Sequence, residues 1–147
     1  VGNIGSEKKM DYTIIGDMVN VGSRLEGLTK EYRQDVIFSE SVFRKVKAEL
    51  PCRLIDKVQV KGKTAGENIY TAEEKLSATS ARLWKGYHAG IGKYYSRDFA
   101  AALDHFQRCL ELAPQDRPAE IFAERSRRYR ETPPAGNWDG TEVMTEK

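Results

Sequence analysis

Between Asp11 and Glu26 the hydrophobic period of this chain changes once, and that change constrains the fold more than any other feature. Tyr12, Thr13, Ile14 and Ile15 are aromatic or β-branched, as strands prefer. Gly16 interrupts them, and Asp17 suits a helix N-cap. Met18, Val21, Leu25, Leu28 and Tyr32 then recur at three- and four-residue steps, the apolar face of a helix that runs to about Tyr32. Asn20 and Arg24 are four apart and share one flank of it. An amide and a guanidinium just inside a helix start suit a phosphate or a sugar. The same spacing also describes an ordinary amphipathic helix with solvated Asn and Arg at its edge.

Around this unit the chain reads as mixed strands and helices. Val1–Ser6 is a strand end and turn, and Glu7–Met10 the tip of a hairpin into the first strand. Val36–Ser39 is a short β-rich run. Ser39 or Ser41 can cap a helix through Leu50, with Phe43, Val46 and Leu50 inside and Pro51 as its stop. Arg53–Val60 reads as a strand through Leu54, Ile55, Val58 and Val60; Gly62–Asn68 is a turn, and Ile69–Thr71 a final strand. The character changes near Glu73–Thr79, beyond which no strand is expected. Trp84, Tyr87, Ile91 and Tyr94 form one helical stripe. Phe99, Leu103, Phe106 and Leu110 form another, capped by Asp98 and closed by Pro114. A short turn at Ser96 and Arg97 makes them antiparallel. A third helix is expected over Pro118–Arg130, then an extended tail pinned by Trp138.

Charge excludes some functions. The 147 residues carry a net charge of +2, with 31% charged residues. That near-balance, without a basic aromatic surface, argues against nucleic acid or an anionic membrane as partner. No apolar run reaches membrane-spanning length. Cys52 and Cys109 are far apart and read as reduced residues of a cytoplasmic chain, not a disulfide framework. His88 and His105 fall in predicted helices without accompanying ligands, which argues against zinc. Gly62, Lys63 and Thr64 mimic the end of a phosphate-binding P-loop, but Lys57 stands where that motif needs glycine and no helix follows.

Gly16, Asp17, Val19, Asn20, Arg24, Leu25 and Glu26 match the G-D-x-V-N-x-x-x-R-L-E signature of class III nucleotide cyclases. The run from Gly2 to Ser6 and the run from Val60 to Lys63 resemble the family's flanking blocks at family-like separations. The resemblance covers about the first half of the chain and only the C-terminal part of the family's domain. It implies a partial ferredoxin-like α+β cyclase sandwich over residues 1–75. It also implies conversion of ATP to 3′,5′-cyclic AMP and pyrophosphate. Arg24 would donate to the α-phosphoryl oxygens, Asn20 would orient the ribose, and Lys61 would hold the β- and γ-phosphates. Thr13 aligns with the purine-selecting position, where its hydroxyl favours adenine; for both Lys61 and Thr13 an ordinary turn or strand role also fits. Asp17 is near the site and reads first as a helix cap.

Residues 76–131 form the all-α extension and 132–147 the tail. Within the extension, Ala102, Phe106, Cys109 and Pro114 resemble the second half of a tetratricopeptide repeat, whereas the first half is met only in part, by Gly90. One such unit is too few to stack alone, so it is expected to pack on the cyclase part or on a protein partner.

The family binds two Mg²⁺ or Mn²⁺ ions through two aspartates, and reads the base with a lysine. All three lie upstream of the signature, and this sequence begins after them. The chain alone is therefore expected not to cyclise ATP, and its parent to act as a homodimer in the cytoplasm or at the cytoplasmic face of a membrane. The competing reading is a degenerate cyclase-homology scaffold that binds a protein partner through its helices. Intact Asn20, Arg24 and Lys61 speak against it.

Overall fold

The computed structural model describes residues 28–59 and 65–143. The expected strand at 11–15, the start of the signature helix and the turn holding Lys61 lie outside them. The fold is mixed α and β. Two compact units divide the described residues: those up to Glu74 together with Glu142 and Val143, and Lys75–Thr141.

The first unit is built on a four-stranded sheet of order β1-β3-β2-β4, with β1 at Phe38–Ser39, β2 at Cys52–Gln59, β3 at Glu67–Ala72 and β4 at Glu142–Val143. β3 is antiparallel to both β1 and β2, pairing Phe38 with Tyr70 and Leu54 with Tyr70. β4 corrects the expectation that no strand follows the boundary: it runs parallel to β2, with Val58 opposite Glu142. Two residues are too few to show an alternation in sequence.

Helix α1, Glu40–Val46, covers one face of this sheet. Its Val42 and Val46 pack with Phe38 and Tyr70, with Phe43, Leu50, Cys52 and Leu54 against the same cluster. Phe43 lies flat on Tyr70, ring centroids 3.9 Å apart. The helix ends at Val46 rather than Leu50, because the amides of Glu49 and Leu50 both turn back onto the Val46 carbonyl. Ser39 occupies the N-cap, but its hydroxyl bonds that of Ser41 at 2.9 Å and caps no amide. Residues 28–32 are helical, with Leu28 and Tyr32 buried.

The second unit is an aromatic three-helix assembly: α2 at Ala78–Tyr95, α3 at Phe99–Leu112 and α4 at Arg117–Glu131. Each start is capped by a side chain, Ser77 on Ser80 N, Asp98 on Ala101 N and Asp116 on Ala119 N. Contacts run in opposite senses along α2 and α3. Tyr94 meets Phe99, Gly90 meets Phe106, and Cys109 donates to the Leu83 carbonyl, so the two helices are antiparallel. Phe106 with Phe122 and Phe99 with Tyr129 set the same relation between α3 and α4. Arg97, at φ 70°, turns the chain between α2 and α3. Its guanidinium holds the Pro134 and Ala135 carbonyls and lies over the Trp138 ring. Trp138 fits among Tyr94, Tyr95, Phe99 and Tyr129, and this pins the tail.

Candidate functional site

Of the site residues expected from sequence, Thr13, Asp17, Asn20, Arg24 and Lys61 all lie outside the described residues. What the structure describes beside them in sequence is the helical turn at residues 28–32 and the strands β2 and β3.

The pairing of β2 with β3 slips between Leu54 and Asp56, so Ile55 is an extra residue, a β-bulge. Leu54 faces α1 with Tyr70, and Ile55 alternates to the other side. Asp56 pairs with Ile69, the neighbour of Tyr70, and so takes that other side as well. The result is a buried row of Arg53, Ile55, Asp56 and Val58 on the face away from α1. Asp56 has no solvent exposure. One carboxylate oxygen accepts the Lys57 amide at 2.7 Å, and the other accepts the hydroxyl of Tyr32. The helical turn ending at Tyr32 therefore lies on this second face, making the unit a sandwich. Asp56 was not singled out in the sequence. The signal available was the three-residue step from Ile55 to Val58, where a regular strand steps by two.

On the α1 face, the bulge turns Lys57 toward a shallow polar depression of about 480 Å³ lined by Glu40, Ser41, Arg44, Lys57, Gly66, Glu67 and Asn68. Glu40 accepts from Asn68 Nδ2 at 3.3 Å and from the Tyr70 hydroxyl at 3.1 Å, and pairs with Arg44 Nε at 3.6 Å. Burial, and secondarily the Glu40 charge and hydrogen bond, push the Tyr70 phenol up to about 12. Burial raises the Cys52 thiol as well. Acidic and basic groups alternate here, so the depression has no field of one sign that would draw a triphosphate. Among the described residues no three His, Cys, Asp or Glu side chains converge to hold a metal ion. Also among them, no helix is long and apolar enough to cross a membrane.

No family model and no solved structure matches the chain. Three curated relatives do. The chain is 33% identical over 132 residues to the terminal-differentiation specific adenylate cyclase of Dictyostelium discoideum, a match spanning 85% of this chain and 6% of that protein. It is 47% identical over 73 residues to an adenylate cyclase of Anabaena cylindrica, and 37% over 70 residues to adenylate cyclase 1 of Rhizobium meliloti. Those two matches each span 48% of this chain, and 14% and 10% of the relatives. The chain thus covers a small part of every relative's length. A match over 85% of the chain necessarily runs well into the helical unit. The chain contains a region related to proteins named adenylate cyclase.

Proposed function

We propose that this chain is the C-terminal part of a class III adenylate cyclase catalytic domain joined to a tetratricopeptide-like helical extension. Its parent would convert ATP to 3′,5′-cyclic AMP and pyrophosphate. The observation that carries this reading is the 47% identity over 73 residues to a protein of that name. The signature between Gly16 and Glu26 supports it.

The reaction joins the ribose 3′-oxygen to the α-phosphorus, breaks the bond to the bridging oxygen, and releases pyrophosphate. Little covalent chemistry is left to the protein, so positioning and charge do most of the work. In this reading Arg24 donates to the α-phosphoryl oxygens as charge grows on them, and Asn20 holds the ribose. Lys61 neutralises the leaving pyrophosphate, and Thr13 bonds the adenine edge. Two divalent ions would further stabilise the phosphoryl charge. The described residues offer no ligand set for them. The parent is read as a homodimer through its cyclase domain. The long Dictyostelium match supports the helices as a companion of the cyclase region rather than an unrelated module.

The test is cyclic nucleotide production from ATP and from GTP by the parent protein, beside its Arg24→Ala variant, with Mg²⁺ and with Mn²⁺. Cyclic AMP that falls by about a thousandfold in the variant supports enzyme and role together. A folded parent that makes no cyclic nucleotide with either ion refutes both.

A further inference from the structure

Exposed helix faces ordinarily intersperse charges of both signs, so that a cation finds an acid one turn away. The other described helices show this. Arg44 pairs with Glu40, Arg108 with Asp104, Arg117 with Glu120 and Arg127 with Glu124. α2 departs from it. From Lys75 to Arg97 the chain holds no Asp or Glu. Leu83, Tyr87, Ile91 and Tyr94 bury one face of this helix, and Arg82, Lys85 and Lys93 stand exposed on the other. None of these three side chains makes an ion pair or a hydrogen bond among the described residues. Arg82 and Lys85, three apart, repel each other weakly, so the arrangement does nothing for the helix itself. Arg82 and Lys93 lie three turns apart on one line, about 16 Å along the axis. Between them Ala89 and Gly92 are also exposed, and nothing lies within 4 Å of a Cβ added at Gly92. Alanine would serve the helix better there. What glycine leaves is room for a second backbone to come close.

We propose that this face of α2 docks an acidic helix of a partner protein, its carboxylates spaced to meet Arg82, Lys85 and Lys93 and its backbone close to Gly92. A second copy of the chain does not supply that helix, because the exposed acids of α3 and α4 are interleaved with arginines. A nucleic acid or an anionic membrane fits less well. The cations form one narrow line, α2 exposes no Phe, Tyr or Trp on which a base could stack, and the neighbouring α3 exposes Asp104 and Glu111. Exposed charge pairs are individually weak, so the docking is weak and salt-dependent, and its specificity comes from matching the line of charges. Nothing in it depends on cyclase activity.

The experiment is fluorescence anisotropy of a labelled alanine-based peptide titrated with the full chain, at about 20 mM and about 300 mM salt. One peptide carries Glu at steps of three and four residues along a single helical face; the other has the same composition with Glu scattered around the helix. Circular dichroism checks that each variant chain folds. The single-faced peptide should bind at least about tenfold more tightly than the scattered one, and about tenfold more tightly at low salt than at high. Lys85→Glu and Gly92→Leu should each weaken it by about tenfold or more, the first by reversing a charge and the second by filling the approach. Arg108→Glu makes the same change in net charge as Arg82→Glu and should alter binding by less than about twofold. Arg82→Glu gives the same reading should Lys85→Glu fail to fold. Equal binding of the two peptides overturns the proposal, as does no binding at low salt or an equal loss in Arg108→Glu. A Gly92→Leu chain that binds undiminished overturns the helix packing on which the proposal stands. Tighter binding of phosphatidylserine vesicles, or of a short DNA duplex, overturns it in favour of a lipid or nucleic-acid surface.

Discussion

Gly90 and Gly92 lie two residues apart in α2, and replacing each by alanine should move stability in opposite directions. In a helix interior alanine is better than glycine by about 1 kcal/mol, which sets the gain available at either position. At Gly92 nothing lies within 4 Å of an added Cβ, so that gain should appear whole. At Gly90 the new carbon would sit 2.8 and 2.9 Å from two ring carbons of Phe106 and 3.0 Å from Cβ of His105. Ordinary carbon contacts are about 3.5–4.0 Å, so α3 must withdraw by roughly 0.7 Å. The Phe106 ring has no room to do so. It is fully buried, with Tyr87 at its edge at 5.8 Å and Phe122 stacked on it at 5.5 Å. Overpacking of this kind costs about 1–3 kcal/mol, and three rigid contacts place it near the top of that range. The propensity gain then leaves Gly90→Ala less stable than the native chain by about 2 kcal/mol. For a helical unit of this size the expected shifts in Tm are about 8–16 °C down for Gly90→Ala and about 4–8 °C up for Gly92→Ala. Far-ultraviolet circular dichroism of the full chain reads both, because most of the helix among the described residues lies in this unit. If the two substitutions stabilise equally, α2 and α3 do not meet at Gly90 and their antiparallel packing is wrong.

Removal of Trp138 should loosen the tail: Trp138→Ala is expected to cost about 2–3 kcal/mol in thermal unfolding and to speed proteolysis within residues 132–141. Trp138→Phe should cost clearly less, since the indole Nε1 makes no hydrogen bond among the described residues and only part of the ring packing is lost; equal losses for both would contradict the packing role. The Tyr70 phenol predicts an alkaline effect. Its folded value, about 12, lies above the ordinary 10, so the contribution is complete below pH 10 and lost as pH rises toward 12. Stability measured across that window should fall less in Tyr70→Phe than in the native chain, and parallel curves would show that Glu40 and burial do not hold the phenol neutral.

Most of the second unit was legible because its helices are long and each is bounded by chemistry that sequence displays. Asp98 does cap its helix, and the Tyr87, Ile91 and Tyr94 stripe is buried; Asp116, not singled out in the sequence, caps the third helix. Trp138 could be read as a pin because so large an apolar ring among small polar residues needs a partner. The shorter elements were harder. α1 stops at Val46 although Pro51 is the visible terminator, because a run of turns, rather than a breaker, ends it. β4 owes its existence to pairing at Val58 and Gln59, a tertiary cause without a local pattern.

The functional half divides along another line. A resemblance proposes residues for a substrate from their spacing alone, as with Asn20 and Arg24, four apart in the sequence. It does not read what the described helical turn at residues 28–32 packs on, since a partner from a distant strand declares itself only through geometry. Asp56 illustrates why. In a regular strand it would face α1, and a sequence reading that assumes period two leaves a charged residue there as ordinary solvent-side polarity. One extra residue reverses the assignment of every position after it, so Lys57 moves to the polar depression and Asp56 to the core. The bulge and the buried bond to Tyr32 are therefore one feature, and each accounts for the other. The bond to Tyr32 and the Lys57 amide both help satisfy the inward carboxylate, and without the bulge the carboxylate has no way in.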